Sequence, residues 1–277
     1  MAKPIVAILY DFDSTLAKKD MQDFGFVPAL GMTPAEFWAK TGEFSAKTGA
    51  DRILSYLYVM KKAAEEKGIK MTKEWLNEMG KNIKFFPGVE TWFQRINDYG
   101  KAHGLQVEHY LISSGNKEIV DGCAIAKEFT KMYACEYLFD ENGEIYWPKL
   151  TINFTQKTQY FFRIAKGVTD VSDDQGLNEK TPNKRIPYSN IIYIGDGMTD
   201  VPAMILAKNN GGKSIAVYKQ GCKEKVAPLY NEGRVNYMAF ADYREGKQLE
   251  KLMKLIIKGI EIAEELGKHE NKEKPQD

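Results

Sequence analysis

The sequence predicts an α/β fold with a Rossmann-like parallel sheet, helices on both faces of that sheet and an inserted helical cap. Apolar runs of strand length, such as Ile5–Tyr10 and Ile191–Ile194, are typical of strands that are buried on both faces. These runs alternate with helical segments, which indicates βαβ units. Residues 17–86 show no strand-like alternation, so we expect an all-helical cap there and a discontinuous core made of residues 1–16 and 87–277.

Composition limits the classes of function. The 277 residues suffice for a core with an insertion. The 39 basic and 38 acidic side chains leave a formal charge of +1, so no overall field favours nucleic acid or an anionic membrane. Three cysteines form no metal-type cluster, and their odd number favours a reduced, cytoplasmic location over a disulfide framework. We expect neither a signal peptide nor a membrane span.

The predicted cap opens with a strong helix start. Thr33, Pro34 and Glu36 supply an N-cap, a proline at the first helical position and a glutamate at the third. This helix is expected to reach about residue 47, and two more to span about residues 50–67 and 72–84. The aromatic side chains of the cap are assigned to its core, and they include Phe37, Trp38, Tyr56, Tyr58 and Trp75.

The core is predicted to alternate helices and strands. Phe86-Pro87-Gly88 opens its first helix, and Asn142-Gly143 is a strong hairpin signal. The polar stretch Val168–Asn190 is long for a connection, and it could be a lid, a partner site or an idle insertion. Strands are expected at Val107–Ile112, Glu136–Phe139, Glu144–Trp147, Ile191–Ile194, Ser214–Val217 and Val235–Phe240. Helices are expected to end near residues 101, 132, 166, 208 and 266, with Lys117, Thr155 and Lys247 near the starts of the second, third and last.

Polar side chains follow three of the predicted strands. The carboxyl ends of parallel strands meet at one edge of a sheet, where ligands of open α/β folds bind. Hydroxyl groups and the amides of a following helix N-terminus can bind an anion there. The side chains at these strand ends are Asp11, Asp13, Ser113, Ser114, Asp196 and Asp200.

The acidic residues at this edge indicate a cation site. Asp11 and Asp13 share a face if the chain stays extended, and two such carboxylates repel unless a cation lies between them. Carboxylate oxygens suit a magnesium-type ion, and Asp196 could join Asp11 as a ligand. The alternatives are an Asp-rich turn after the first strand, and a helix cap at Asp200.

Lys157 is the candidate cation for bound phosphate. It lies early in a predicted helix, from which it could place one positive charge beside the phosphate group. The alternative for this residue is a solvated surface lysine.

Taken together, these residues resemble the four motifs of the haloacid dehalogenase (HAD) superfamily. The segments Asp11–Thr15, Ser113, Lys157 and Gly195–Asp200 occur in that family's order, and the resemblance covers nearly the whole chain. The helical insert is similar to the family's helical cap, and the short hairpin leaves no room for a large second cap. Leu16 and the approach at Phe86 to Gly88 are similar to phosphoserine phosphatases.

The resemblance implies a role for each motif residue. Asp11 would attack phosphorus and form an aspartyl-phosphate, while Asp13 would serve as general acid and base. Mg²⁺ would be held by the Asp11 carboxylate, the Asp13 backbone carbonyl and Asp196, with support from Asp200. Phosphoryl oxygens would be held by Ser113, Ser114 and Lys157. The acid at position 13 is absent from dehalogenases and phosphonatases of the family, so it indicates phosphate esters.

We therefore expect a magnesium-dependent phosphomonoester hydrolase that acts on a small phosphorylated metabolite. A phosphotransferase or mutase would use the same phosphoenzyme, and a non-catalytic binding module would be expected to have lost motif residues. A serine hydrolase or a nucleotide-binding P-loop is not supported, since the sequence has neither a Gly-x-Ser-x-Gly segment nor a Walker loop.

Two residues of the cap are candidates for reading the substrate. Asp20 falls where phosphoserine phosphatases carry a glutamate that contacts the substrate amine. Arg52 could pair with a substrate carboxylate, since arginine suits bidentate pairing. The alternative for both residues is a solvated charge on a helix surface.

Overall fold

A seven-stranded sheet forms the centre of the molecule. The structure, a computed structural model, describes residues 3–181 and 184–270. The strand order is β4-β3-β2-β1-β5-β6-β7, and all neighbours are parallel except the antiparallel pair β3 and β4. The strands are β1 (Ile5–Tyr10), β2 (Gln106–Asn116), β3 (Lys131–Phe139), β4 (Ile145–Leu150), β5 (Ile191–Gly195), β6 (Lys213–Tyr218) and β7 (Tyr237–Phe240).

Helices cover the sheet and form the insert. Across the described residues they are α1 (Phe26–Ala29), α2 (Pro34–Thr48), α3 (Arg52–Glu66), α4 (Lys73–Gly80), α5 (Val89–Ala102), α6 (Lys117–Asp121), α7 (Gln156–Lys166), α8 (Asp174–Asn178), α9 (Val201–Asn209), α10 (Lys223–Asn231) and α11 (Gln248–Glu270). Helix α5 packs with α11, and α7 packs with α9; the right-handed crossovers usual for parallel strands place these two pairs on opposite faces of the sheet. The predicted α/β class is confirmed. No helix in the described part of the chain is long and apolar enough to cross a membrane.

Strand β1 lies at the middle of the core. Its residues from Val6 to Tyr10 are fully buried between β2 and β5. The hydroxyl of Tyr10 accepts a hydrogen bond from Nε1 of Trp92 in α5 at 2.9 Å and lies 3.0 Å from Nδ1 of His109 in β2. This packing fixes the strand from which the first acidic segment emerges.

The chain enters and leaves the insert at one place. Ala17 and Phe85 pair across an antiparallel bridge, and the amide of Phe86 donates to the carbonyl of Leu16 at 2.9 Å. We propose this pairing as the boundary of the cap, which then comprises residues 17–86. Within it, Thr33 and Glu36 form the predicted capping box at the start of α2.

The cap is joined to the core along α4 and α6. A side-chain carbon at Gly80 would overlap the carbonyl oxygen of Ile119, and one at Gly122 would overlap that of Asn77. The two backbones can approach this closely only because both positions are glycine. A second contact lies at the hairpin, where the amide of Ile145 donates to the carbonyl of Met71 at 3.0 Å.

Two sequence predictions about local structure are wrong. The helix expected from residue 117 to 132 ends at Asp121, and Lys131 instead begins β3, because this segment pairs with β2 at the sheet. The expected cap at Thr155 makes no side-chain hydrogen bond, and Asn153 takes this role through a reciprocal pair of bonds with Gln156. The sequence pattern does not predict helices α1, α8 and α10.

The polar stretch 168–190 lies far from the carboxyl edge of the sheet. It links the end of α7 to the start of β5, so it runs along the amino ends of the strands. The buried guanidinium of Arg163 donates to the carbonyls of Asp170 and Val171 at 2.6 and 3.0 Å. A lid over the strand carboxyl ends is therefore ruled out for the described part of this stretch, and its residues 182–183 lie outside the described ranges.

Candidate active site

Lys157 connects two of the predicted acidic residues. It projects from the first turn of α7, and its Nζ lies 2.7 Å from Oδ1 of Asp11 and 2.7 Å from Oδ1 of Asp200. Its side chain is only 1% exposed, so the alternative of a solvated surface lysine is wrong. Asp11 is itself held in line with β5, since its amide donates to the carbonyl of Ile194 at 2.9 Å.

Asp200 is buried and serves the site, although it precedes α9. Its Oδ1 also accepts from the hydroxyl of Tyr193 at 2.9 Å, and its Oδ2 accepts from the amides of Asp196 and Gly197 at 3.3 Å each. The side chain makes no capping bond to α9. A side-chain carbon at Gly195 would lie 2.5 Å from this carboxylate, so the turn requires glycine.

Three carboxylates form a group with the geometry of a metal site. One oxygen each from Asp11, Asp196 and Asp200 lies within 4.8 Å of the others. The hydroxyl of Thr15 donates to Asp196 at 3.2 Å. The carboxylate of Asp13 stands apart and accepts from the amide of Met21 at 2.8 Å. Its role as a metal ligand, expected through the backbone carbonyl, stays a prediction.

The electrostatics of this group call for additional positive charge. Burial and the nearby Asp200 raise the pKa of Asp11 to about 7, although Lys157 partly offsets the increase. Burial and the Asp11 carboxylate likewise raise the pKa of Asp196. Burial alone would lower the pKa of Lys157, but Asp11 and Asp200 raise it overall. One lysine cannot neutralise these carboxylates, and oxygen donors of this kind fit a hard divalent cation.

Asp13 experiences a similar environment. Burial, followed by the negative charges of Asp20 and Asp11, raises the pKa of Asp13 well above its ordinary value. The carboxyl group therefore holds a proton more readily than a solvated aspartate, which suits a group that must donate one.

The two serines of β2 are placed differently. Because β2 continues to Asn116, neighbouring side chains point to opposite faces. Ser113 is fully buried, and its hydroxyl accepts from the amide of Gly115 at 3.0 Å. Ser114 lines the cavity, and its hydroxyl has no hydrogen-bond partner among the described residues. The hydroxyls of both serines are thus buried, and Ser114 but not Ser113 is among the residues that line the cavity.

A cavity of about 590 Å³ lies between core and cap, and most of the acidic residues of the site line it together with Lys157. We call its core side the floor, comprising Asp11, Asp13, Ser114, Gly115, Lys157 and Asp196, with Asp200 beneath. The opposite side, the cap wall, comprises Asp20, Gln22, Trp38, Thr41, Gly42, Ser45, Arg52, Ile53 and Tyr56.

The cap wall contains both predicted substrate residues and others that the sequence did not reveal. Asp20 is half-buried and forms no ion pair among the described residues, and Arg52 is exposed at the start of α3. Trp38 and Tyr56, which the sequence assigns to the cap core, do pack there, and both also line the cavity. The helical spacing of Trp38 and Tyr56 is the same as that of residues packed inside the cap. Their contact with the cavity therefore depends on where the α/β core lies relative to the cap.

Comparison with known proteins bears on the fold. No protein-family model matches the sequence. The chain is 28% identical over 278 residues to an uncharacterized protein of Borreliella burgdorferi, covering 88% of this chain and 94% of that protein. Among solved structures it is similar to a HAD family hydrolase from Salmonella enterica serovar Typhi, with a TM-score of 0.58, 20% identity and coverage of 86% of this chain and 68% of that one. The protein has the HAD fold.

A second solved structure supports the same fold. A substrate-bound phosphoserine phosphatase matches with a TM-score of 0.55 and 17% identity, over 92% of this chain and 99% of that one. Within this HAD fold, the segments that resemble the four motifs converge on the floor of the cavity. The expected fold is confirmed. The reaction that the site supports follows from the residues of the floor.

Proposed function

We propose that the protein is a magnesium-dependent phosphomonoester hydrolase that acts on a small phosphorylated metabolite through an aspartyl-phosphate at Asp11. The observation that carries this proposal is the floor of the cavity, where Lys157 joins Asp11 to Asp200 beside Asp13. Four separate parts of the chain, near residues 11, 114, 157 and 196, supply the floor, and each has a use in phosphoryl transfer.

The nucleophile in this proposal is the Asp11 carboxylate. Its attack on phosphorus forms an aspartyl-phosphate and releases the substrate alcohol, which takes its proton from Asp13. Asp13 then removes a proton from the water that hydrolyses the intermediate. Lys157 and the two serines at the carboxyl end of β2, Ser113 and Ser114, hold the phosphoryl oxygens. A divalent cation held by Asp11, Asp196 and Asp200 would supply further charge stabilisation when bound.

For the substrate, we propose a phosphoserine-like molecule. Asp20 and Arg52 line the same cavity as the floor residues, so an amine and a carboxylate of one small molecule could each meet an opposite charge. The three cysteines are free, which supports the cytoplasmic location where such metabolites are found.

Hydrolysis of para-nitrophenyl phosphate by metal-stripped protein tests the proposal. We expect no turnover until Mg²⁺ is added, and suppression by excess Ca²⁺, because calcium takes more ligands at longer distances and would misplace Asp11. Undiminished hydrolysis in a chelator would remove the metal from the account. A complete lack of hydrolysis with Mg²⁺ would favour the non-catalytic binding module.

A phosphotransferase or mutase remains the second candidate, since it would use the same floor and the same phosphoenzyme. Added acceptor alcohols distinguish the two. A hydrolase releases inorganic phosphate in proportion to the substrate consumed, whereas a transferase diverts phosphate to the alcohol.

A further inference from the structure

The cap contacts the anion-binding end of the floor through one side chain. Tyr56, in the second turn of α3, is 4% exposed, and its hydroxyl donates to the backbone carbonyl of Ser114 at 2.6 Å. The thiol of Cys135 in β3 donates to the same oxygen at 3.3 Å. The Ser114 carbonyl is thus held by the cap and by the sheet together.

The direction of this carbonyl controls groups that face the cavity. A peptide unit is planar, so fixing the Ser114 carbonyl also fixes the Gly115 amide, which points the opposite way. That amide donates to Ser113 at 3.0 Å. A side-chain carbon at Gly115 would lie 2.1 Å from Cε of Met21 and 3.2 Å from Oδ2 of Asp13, so Met21 and the proposed acid both lie beside this peptide. Rotation of the peptide would break the hydrogen bond to Ser113 and change the packing beside Asp13.

We propose that Tyr56 is a positioning residue for phosphoryl transfer. Through the Ser114 carbonyl, it holds the Gly115 amide, the Ser113 hydroxyl to which that amide donates, and the packing beside Asp13 in their working arrangement, so the rate depends on a seated cap. The inference rests on the proposed phosphatase function. Tyr56 therefore does more than line the cavity, because its hydroxyl is bound to the core.

The chain offers a matched control in Tyr137. This residue of β3 is also 4% exposed, and its hydroxyl donates to the carbonyl of Leu57 in α3 at 2.8 Å. The two tyrosines therefore make the same kind of hydrogen bond between cap and core. Of these two bonds, only the one from Tyr56 ends at a residue of the floor, Ser114 at the carboxyl end of β2.

The test compares Tyr56→Phe with Tyr137→Phe, because both changes keep the ring and remove one hydroxyl. We expect similar small losses in Tm. Tyr56→Phe should lower kcat for para-nitrophenyl phosphate about 10- to 100-fold and also raise KM, as expected when groups that hold the phosphoryl oxygens are misplaced. Tyr137→Phe should keep kcat within about twofold of wild type. Equal effects on kcat, or a loss confined to KM, would overturn the inference.

A double-mutant cycle tests whether Tyr56 acts on Ser113 through the Ser114 carbonyl. In a Ser113→Ala background, the added change Tyr56→Phe should lower kcat much less than it does in the wild type, because the hydroxyl held by the Ser114–Gly115 peptide is gone. Fully additive losses would contradict this route.

The affinity for inorganic phosphate separates this inference from the proposed function. If the wild type hydrolyses no ester, the proposed function fails, yet calorimetric titration with phosphate still decides the role of Tyr56. Weaker binding in Tyr56→Phe than in Tyr137→Phe supports it, and equal binding refutes it.

Discussion

The floor of the cavity and its cap wall are built in opposite ways. On the floor, Lys157 and Asp200 are buried and bound to charged groups from other parts of the chain. On the wall, the hydroxyls of Thr41 and Ser45 bind backbone carbonyls only four or five residues away, and Arg52 is exposed. The floor residues depend on one another, whereas Thr41, Ser45 and Arg52 of the wall can change singly. This difference suggests that the floor carries the chemistry and the wall selects the substrate.

Removing the central cation should produce the largest effect. Lys157→Met leaves Asp11 and Asp200 buried and unpaired, which should cost about 3–5 kcal/mol of stability. It should also lower kcat by about 10²–10³-fold, since a charge that stabilises phosphoryl transfer is lost. Thermal unfolding and para-nitrophenyl phosphate kinetics measure the two effects.

Lys149→Met is the control for that substitution. Lys149 pairs with Glu136 at 2.6 Å but is 52% exposed, so its loss should change both quantities little. If the two lysine variants behave alike, the floor is not the interdependent network described above.

The joint between α4 and α6 should give the next largest effect. In Gly122→Ala, the new methyl group would overlap the backbone carbonyl of Asn77, which lacks the freedom of a side chain to move away. We expect a loss of about 1–3 kcal/mol or more in unfolding free energy, as for overpacked sites. Denaturant unfolding measures it.

A glycine in open space provides the comparison. Gly259→Ala in α11 meets no atom within 4 Å, and it should be neutral or slightly stabilising, since alanine favours helix. A tolerant Gly122→Ala would mean that the cap is not held to the core at this joint.

The wall should give a smaller effect that depends on the substrate. Asp20→Ala should lower kcat/KM for phosphoserine about 10- to 150-fold, the equivalent of one lost charge-assisted contact of about 1.5–3 kcal/mol. The value for para-nitrophenyl phosphate, which has no amine, should change far less.

Arg52→Met refines the same test. It should lower kcat/KM for phosphoserine but not for phosphoethanolamine, which lacks the carboxylate. Equal losses on all substrates would show that these residues support the site generally. No activity on phosphoserine would remove the proposed substrate while leaving the phosphatase proposal in place.

The sequence predicted the floor better than the wall, for a physical reason. Asp11 and Asp196 directly follow apolar strands, so local pattern and sheet topology suffice to bring them together. Whether Ser113 or Ser114 faces the cavity depends on how far β2 continues, which pairing with β3 decides. Trp38 and Tyr56 have core-like spacing, and their exposure to the cavity follows from the docking of the cap. Gly80 and Gly122 bring two backbones together, and the sequence pattern does not predict this contact.

The central claim is that Asp11 carries the phosphoryl group. Acid-quenched enzyme, taken during turnover of para-nitrophenyl phosphate with Mg²⁺, can be digested and analysed by mass spectrometry. We expect one phosphoryl group on the peptide that contains Asp11. We also expect that Asp11→Asn has no such adduct and a kcat lower by at least about 10³-fold, because the amide is nearly isosteric but a poor nucleophile. The exposed Asp98→Asn should match the wild type. A phosphoryl group on another residue, or near-normal turnover by Asp11→Asn, would contradict the account.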